Sequence, residues 1–205
     1  MKLEVLVPGG TFRSPPYVMA PYASICVLRN SEHIVLIEPG GLPSWEALER
    51  ALDERKIHPA DITDIILSHV HMDHVFCSIF FDRATVYVHE RYAEKNYSSF
   101  GSIAGKFYEM VLSSWKRICT LKGGELLFNC VKVIHTPWHS SEHLSFVVDT
   151  ENMGKVFMPG DICLSKIHFF EMIKGYRNDE ASQFVRTTAK ACDYIVFSHD
   201  DVMKL

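Results

Sequence analysis

A short apolar run, Ile65-Ile66-Leu67, leads directly into a cluster of histidines and an aspartate, His69-Val70-His71-Met72-Asp73-His74. An apolar run of this length predicts a strand that is buried on both faces, as in sheets covered by helices. Neighbouring strands hold the end of such a strand in place, and the loop that follows carries the polar side chains. This junction constrains the chain to a fold with a buried sheet and a polar site along one sheet edge.

The rest of the chain alternates strand patterns with helix patterns, which predicts helices packed against sheets in an α/β fold. Strands are predicted at 3–7, 24–29, 33–38, 85–88, 131–134, 144–148, 155–158 and 194–197, with 24–29 and 33–38 forming a hairpin. Helices are predicted from a capping Ser44 to about Arg55, over 102–118, and from Asn178 or Asp179 onward. The 205 residues are 47% hydrophobic, so we expect a single domain over 1–205 with a substantial core.

The histidine cluster has the spacing of a metal site. His69 and His71 stand at alternate positions of an extended segment, so both side chains point to one side and can reach one ion. Asp73 and His74 follow where the chain turns, and they can face a second ion beside the first. Imidazole nitrogens and carboxylate oxygens suit zinc, iron or manganese rather than calcium. The alternative, a set of solvated surface histidines, fits poorly with the buried strand before them.

Three further motifs follow the cluster: His135-Thr136-Pro137-Trp138-His139, Pro159-Gly160-Asp161 and Ser198-His199. In this order, the four motifs resemble the metal motifs of the metallo-β-lactamase superfamily, and the resemblance extends from Leu3 to His199. It implies a four-layer αββα sandwich with the metal site in a groove at the strand ends.

The same resemblance implies two adjacent metal ions held by side chains from all four motifs. The ligands would be His69, His71 and His139 for the first ion, Asp73, His74 and His199 for the second ion, and Asp161 between the two ions. The family usually binds two zinc ions, although some members use iron or manganese. The expected activity is that of a hydrolase whose dinuclear centre activates water, with Asp73 as the catalytic residue that orients the nucleophile.

Three classes of reaction remain open. The favoured one is hydrolysis of a small-molecule ester, thioester or lactone. The alternatives are cleavage of a phosphodiester or RNA by the same dimetal centre, and iron-dependent dioxygenation of a sulfur compound. The net charge of −4 provides no basic footprint, which argues against a nucleic-acid partner without excluding one.

Several residues near the motifs depart from the usual pattern of the family. Glu38 stands where aspartate is common, and we expect it to keep a hydrogen bond to a metal ligand. Phe76 follows the first cluster where small residues are usual, and Leu164 replaces the tyrosine of quorum-lactone hydrolases. Trp138 and Glu142 stand where glycine is favoured. Trp138 is expected to form a wall of the pocket or, with equal weight, to pack in the core.

The remaining histidines and Cys163 have simpler expected roles. His135 and His143 flank His139, and we expect them to hydrogen-bond metal ligands. His168 is a further candidate to enter the groove, while Cys163 is expected to have a structural role. The histidines predicted to lie at the surface or in turns are His33, His58 and His89.

The six cysteines are scattered without Cys-x-x-Cys pairs, which indicates buried thiols in a reducing compartment rather than a disulfide framework. No apolar run approaches the roughly 20 residues of a membrane span, so we expect a cytoplasmic protein without membrane contact. The aromatic-rich stretch 92–118 is predicted to be an amphipathic helix covering a sheet. The alternative for this stretch is a lid beside the groove or a homodimer contact.

Overall fold

The computed structural model describes residues 1–205 and contains two six-stranded sheets and a separate two-stranded hairpin. The strands are β1 (Lys2–Val7), β2 (Gly10–Ser14), β3 (Val18–Tyr22), β4 (Ile25–Arg29), β5 (Ile34–Ile37), β6 (Asp64–Ile66), β7 (Thr85–His89), β8 (Arg117–Leu121), β9 (Leu126–Leu127), β10 (Val131–His135), β11 (Leu144–Thr150), β12 (Gly154–Met158), β13 (Tyr194–Ile195) and β14 (Met203–Lys204). The helices are α1 (Trp45–Glu54), α2 (Met72–Val75), α3 (Ala104–Ser114), α4 (Lys166–Ile173) and α5 (Glu180–Ala189). None of these helices has the length and apolarity that a membrane crossing requires.

Each large sheet mixes parallel and antiparallel pairs. The first sheet has the strand order β1-β4-β5-β6-β7-β8, and β5 to β8 run parallel to one another. The second sheet has the order β14-β13-β12-β11-β10-β9 and is antiparallel except where β12 pairs with β13. The predicted hairpin is confirmed as β4 and β5, in which Cys26 lies opposite Ile37.

The two sheets pack face to face. Because successive side chains of a strand point to opposite faces, each sheet contributes one set of side chains to the layer between the sheets and another set to the layer under the helices. On β4, Cys26 and Leu28 face the layer between the sheets, while Ile25 and Val27 face the helices. The middle layer also takes Phe146 from β11. The outer face of the first sheet is covered by α1 and α3, and that of the second by α4 and α5. Three apolar layers therefore separate four layers of structure, which confirms the αββα sandwich.

The metal motifs come together because the strands that precede them end at one edge of the sandwich. Backbone contacts join the two sheets at this edge: Leu144 N–H donates to the carbonyl of Ser68 at 2.7 Å, and Ser24 N–H donates to that of Ser198, also at 2.7 Å. The residues of these motifs lie just beyond the ends of strands, where the sequence places them. Sheet edges held in this way give the loops beyond them fixed starting points.

The predicted helix over 102–118 is too long. It spans Ala104–Ser114, and Trp115 has an extended backbone and leads into β8, which pairs with β7. The indole of Trp115 is buried and donates a hydrogen bond to Ser78 Oγ at 2.7 Å. Burial of this one side chain turns the chain out of the helix, although the apolar spacing continues past it. Of the apolar positions that predicted the helix, Ile103, Phe107 and Met110 are exposed.

Three smaller predictions are met only in part. Ser44 precedes α1, but its hydroxyl donates to the carbonyl of Gly41 and does not cap the helix. His89 is 2% exposed rather than at the surface, but it does border a turn, because its Nδ1 caps the 3-10 helix Glu90–Glu94 by accepting a hydrogen bond from the backbone N–H of Arg91. The strand predicted at 194–197 pairs only over Tyr194–Ile195. Helix α4 and the β2–β3 hairpin were not predicted.

The layer between the sheets gives a stability prediction. Leu28 is 0% exposed in this layer, and we expect Leu28→Ala to lower the free energy of unfolding by about 2–5 kcal/mol, because it leaves a cavity that packed sheets cannot close. Leu126→Ala is the matched control, since Leu126 is 61% exposed, and we expect a change within about 0.5 kcal/mol. Urea unfolding measures both variants, and equal losses would contradict the layer assignment.

Candidate metal centre

The structure gathers all seven predicted ligands into two adjacent groups. The first ligand group consists of His69, His71, His139 and Asp161, and the second ligand group consists of Asp73, His74 and His199. Within each group the candidate ligand atoms lie within 4.8 Å of one another. Asp73 and His74 belong to α2, a single turn that begins directly after His71 and turns them away from the extended segment.

The carboxylate of Asp161 lies between the two ligand groups. Its Oδ2 is 3.8 Å from His69 Nε2 and 3.5 Å from His139 Nε2, both in the first group. Its Oδ1 is 3.2 Å from His74 Nε2 and 3.4 Å from His199 Nε2, both in the second group. Each oxygen therefore faces a different group, which is the arrangement that a bridging carboxylate requires.

Three of the histidines are oriented by contacts of their Nδ1 atoms, which leaves Nε2 turned toward Asp161. The contacts are His69 Nδ1 with Ser68 Oγ at 2.9 Å, His74 Nδ1 with Glu38 Oε2 at 2.9 Å, and His199 Nδ1 with the carbonyl of Tyr22 at 3.0 Å. Partners of this kind fix the ring orientation and the tautomer of a metal-binding histidine.

Glu38 connects the first sheet to the second ligand group. Its side chain is buried, and its two oxygens accept from Ser68 N–H and contact His74 Nδ1. The expectation that Glu38 hydrogen-bonds a predicted ligand is confirmed. The extra methylene of glutamate is accommodated at the end of β5, where Glu38 has a left-handed backbone with φ of 59°.

The first ligand group has the charge state of a cation site. Burial lowers the pKa of His69 well below its ordinary value, and burial together with His139 lowers the pKa of His71 to about 4. These rings are therefore neutral near pH 7. His71 Nδ1 lies 2.9 Å from His69 Nε2 and 3.1 Å from His139 Nε2. A neutral imidazole has only one N–H, so a cation fits this convergence of nitrogen lone pairs better than hydrogen bonds do.

The second ligand group also fits a cation. Burial acts to lower the pKa of His74, but the carboxylates of Asp161 and Glu38 outweigh it and raise that pKa well above its ordinary value. Burial acts to raise the pKa of Asp161, but His74 and His199 hold it well below its ordinary value. His74 Nε2 and Asp161 Oδ1 are nevertheless buried atoms without a hydrogen-bond partner. Buried polar atoms normally have partners, and a metal ion coordinated by both atoms would supply the missing one.

His143 positions Asp161 through the backbone. The N–H of Asp161 donates to His143 Nε2 at 3.0 Å, so the proton of the neutral ring is on Nδ1, which faces Thr136 Oγ1 at 2.8 Å. Thr136 Oγ1 then contacts Ser145 Oγ, whose hydroxyl donates to the carbonyl of Pro159. The expectation that His143 hydrogen-bonds a predicted ligand is confirmed, and it acts on the main chain of Asp161.

His135 does not play the same part. Its Nε2 contacts the carbonyl of Ser141 at 2.9 Å, and its ring stacks on His89 at a centroid distance of 4.2 Å. The expectation that His135 hydrogen-bonds a metal ligand is therefore wrong. The ring of His135 therefore links the end of β10 to Ser141 in the 136–143 loop, and it does not reach the predicted ligands.

A cavity of about 570 Å³ opens beside the two ligand groups. Its lining residues are Trp138, His139, Asp161, Ile162, Leu164, His168, Met172, Arg177, Asp179, Glu180 and Ala181. Trp138 forms one wall, where its indole N–H donates to Glu180 Oε2 at 3.0 Å. The pocket-wall role of Trp138 is confirmed, and His168 does enter the groove. Cys163 is buried beneath it, and burial raises the pKa of that thiol to about 12.

On the other side of Asp73 lies an apolar cavity of about 270 Å³ that includes Phe76 and Phe107. Phe107 belongs to α3, which buries Tyr108 and Val111 against the first sheet. The expectation of an amphipathic helix covering a sheet is confirmed for Ala104–Ser114 only, because 92–103 includes the end of the short 3-10 helix Glu90–Glu94 and a second one, Tyr97–Phe100, instead. Helix α3 also borders the second ligand group.

The sequence analysis did not identify Lys95 or Arg177 as residues of the site. Lys95 pairs with Glu142, whose carboxylate is fully buried in the loop that carries His139. Glu142 in a position that favours glycine was a usable signal, because a buried carboxylate requires a cationic partner. Nothing in the spacing of the two residues identified Lys95 as that partner. Arg177 lies in the connection between α4 and α5, which carries no motif.

Comparison with known proteins shows the family of the chain and its fold. Residues 21–199 match the family model described as the metallo-beta-lactamase superfamily. A crystallised Thermotoga maritima protein named for the metallo-beta-lactamases is 43% identical, with coverage of 100% of this chain and 99% of that one and a TM-score of 0.95.

Two more distant similarities complete the comparison. Metallo-beta-lactamase domain-containing protein 1 of Xenopus laevis is 30% identical over 129 residues, 62% of this chain and 49% of that protein, so the match spans about half the length of this curated relative. An N-acyl homoserine lactone hydrolase, solved with N-hexanoyl-L-homoserine at its catalytic metal centre, is 18% identical with a TM-score of 0.73. It covers 98% of this chain and 93% of that one, and at this identity the likeness concerns the fold.

The contact between Glu38 and His74 gives a prediction for metal affinity. Glu38→Gln keeps the shape of the side chain but removes the charge that orients His74, so we expect zinc affinity to fall by about 10- to 100-fold. Glu46→Gln on the exposed face of α1 is the control for loss of one carboxylate. Competition with a chromogenic chelator measures both variants. Equal zinc affinity in the two folded variants would refute the role of Glu38.

Proposed function

The chain belongs to the metallo-beta-lactamase superfamily, and we propose that it uses two divalent ions to hydrolyse a small-molecule ester, thioester or lactone. Hydrolases among the proteins of similar fold support the assignment of this chain as a metal-dependent hydrolase. The proposed ligands are His69, His71 and His139 for the first ion, Asp73, His74 and His199 for the second, and Asp161 between them. Zinc is the proposed metal, since the donor set suits it, with iron or manganese as alternatives.

The observation that carries this proposal is the position of the Asp161 carboxylate. One oxygen lies within 3.8 Å of two histidine nitrogens of the first ligand group, and the other lies within 3.4 Å of two in the second. A single ion in the first group would leave His74 Nε2 buried without a partner. Two ions that share Asp161 give both groups a ligand role.

Divalent ions in this position would supply Lewis acidity, which lowers the pKa of water from about 15.7 toward about 7 and stabilises developing negative charge on a substrate oxygen. The chain supplies the positioning. Asp73 Oδ2 lies 3.4 Å from His199 Nε2 and 3.6 Å from His74 Nε2, and the side chain is partly exposed where it lines the apolar cavity of about 270 Å³. We assign Asp73 as the acceptor of a hydrogen bond from the attacking water, which orients that water toward the substrate carbonyl.

The pocket favours a carboxylic derivative over a nucleic acid. Its walls combine apolar groups, Ile162, Leu164 and Met172, with the carboxylates of Asp179 and Glu180 at the rim. These carboxylates and the net charge of −4 oppose an RNA strand, whose successive phosphates would have to lie along the rim, but they do not exclude a small substrate that enters the cavity. The lactone hydrolase of similar fold, which holds a ring-opened product at its metal centre, adds support for acyl substrates.

Activity and metal content test the proposed function together. We expect about two zinc ions per chain by elemental analysis, and hydrolysis of at least one member of a panel of esters, thioesters and lactones. Asp73→Asn should lower kcat by about 100-fold or more, because the water loses its orienting acceptor. Asp82→Asn, at an exposed position, is the control. Faster turnover of bis-nitrophenyl phosphate would favour the phosphodiesterase. One iron per chain with oxygen uptake and no hydrolysis would contradict the proposal.

The bridging role of Asp161 is tested by metal stoichiometry. His199→Gln removes a ligand of the second ion only, so we expect about one tightly bound zinc per chain. Asp161→Asn removes charge shared by both sites, so we expect weaker binding of both ions in a chelator titration. Circular dichroism controls for folding. If Asp161→Asn weakened one ion and left the other at wild-type affinity, the bridging assignment would be wrong.

A further inference from the structure

Arg177 and His168 meet on the wall of the 570 Å³ cavity, across from the predicted ligands His139 and Asp161. His168 is in the first turn of α4, and Arg177 follows the end of that helix. A guanidinium N–H of Arg177 is in contact with His168 Nε2. Neither residue belongs to the ligand groups or to the apolar core.

No tautomer of His168 satisfies both of its neighbours. The backbone N–H of Leu164 points at Nδ1 at 3.2 Å, and Arg177 points a second donor at Nε2. Burial and the charge of Arg177 lower the pKa of His168, so the ring is neutral and has one N–H and one acceptor nitrogen. With Nδ1 accepting from Leu164, the N–H of Nε2 and the guanidinium are two donors directed at one place, because arginine never accepts a hydrogen bond.

The acidic groups on the same rim do not supply the missing acceptor. Asp179 caps α5, where its Oδ1 accepts from the backbone N–H and the hydroxyl of Ser182. Glu180 Oε2 accepts from the indole of Trp138. Arg177 forms an ion pair with neither carboxylate, although both line the cavity with it. The pocket thus holds an exposed guanidinium that forms no ion pair within the chain.

We propose that Arg177 and His168 Nε2–H bind a carboxylate of the substrate, so that the pocket selects acyl compounds that carry a free carboxylate group. This inference rests on the proposed hydrolase function and makes it more specific. The planar guanidinium presents paired N–H donors that match the two oxygens of a carboxylate, and the ring N–H of His168 lies beside them as a further donor. His139 and Asp161 line the same cavity, so a substrate anchored at Arg177 extends toward the metal centre. Leu164 and Met172 provide apolar walls for the methylenes between the carboxylate and the reacting carbonyl.

A pair of esters tests the selection. The half ester of glutaric acid with 4-nitrophenol carries the carboxylate, and 4-nitrophenyl valerate is a neutral analogue of similar length. After subtraction of the uncatalysed rates, we expect kcat/KM of the wild-type protein to favour the half ester by about 10-fold or more, mainly through KM. Arg177→Gln should bring this ratio close to one by lowering kcat/KM of the half ester, and Arg177→Lys should restore part of the preference.

Lys174→Gln is the matched control, because it removes one positive charge from the same connection outside the cavity and should keep the preference. A preference that persists in Arg177→Gln, or that falls equally in Lys174→Gln, would overturn the inference and leave the hydrolase function intact. If the wild-type protein cleaves neither ester, calorimetric titration with glutarate decides the question independently of hydrolysis. Weaker glutarate binding in Arg177→Gln than in Lys174→Gln would support the carboxylate site, and equal binding would refute it.

Discussion

The buried carboxylate of Asp161 is the group on which the geometry of the whole site depends. Its two oxygens separate the histidines into two sets, and its backbone N–H fixes the tautomer of His143. A buried carboxylate is costly unless charge or hydrogen bonds compensate it. Here the compensation comes from side chains of both sheets, so the position of Asp161 is set by the way in which the two sheets meet.

The apolar layer between the sheets and the polar networks at its edge form one system. Leu144 N–H and Ser68 C=O connect the sheets directly beside the site, so the register of the sheets determines where the ligands stand. Glu38 orients His74 from the first sheet, whereas Thr136 and its partners orient His143 from the second. Each network is complete within its own sheet, and the unpartnered atoms, His74 Nε2 and Asp161 Oδ1, lie where the two networks face each other. Metal ions at this boundary would therefore contribute to the cohesion of the sandwich as well as to catalysis.

The sequence allowed accurate prediction where a single local pattern determined the outcome. The strand 65–67 followed by His69 was sufficient to place the cluster at a sheet edge, and Glu38 was assigned its hydrogen bond because it occupies a motif position. Prediction failed where a distant contact decided between local alternatives. Helix α3 ends at Trp115, whose indole N–H donates a hydrogen bond to Ser78, thirty-seven residues earlier in the chain. The spacing of apolar residues contains no information about such a distant partner. His135 and His143 looked equivalent in the sequence, and only the pairing of β10 with β11 separates their roles.

The residues that could be predicted from the sequence are the proposed metal ligands, and the residues that could not are mainly those that line the cavity. Residues proposed to bind metal stand at strand ends. The sheets hold the backbone there, so the spacing of the ligands can be recognised in the sequence. The residues that line the cavity come largely from α4, the connection after it and the start of α5, which pack only against the outer face of the second sheet. Arg177 is linked to the ligand groups by one chain of contacts, through His168 and Leu164, whose carbonyl accepts from His199 N–H, and no strand takes part in it. A chain built in this way can change which acyl compound it accepts while the metal centre keeps its geometry.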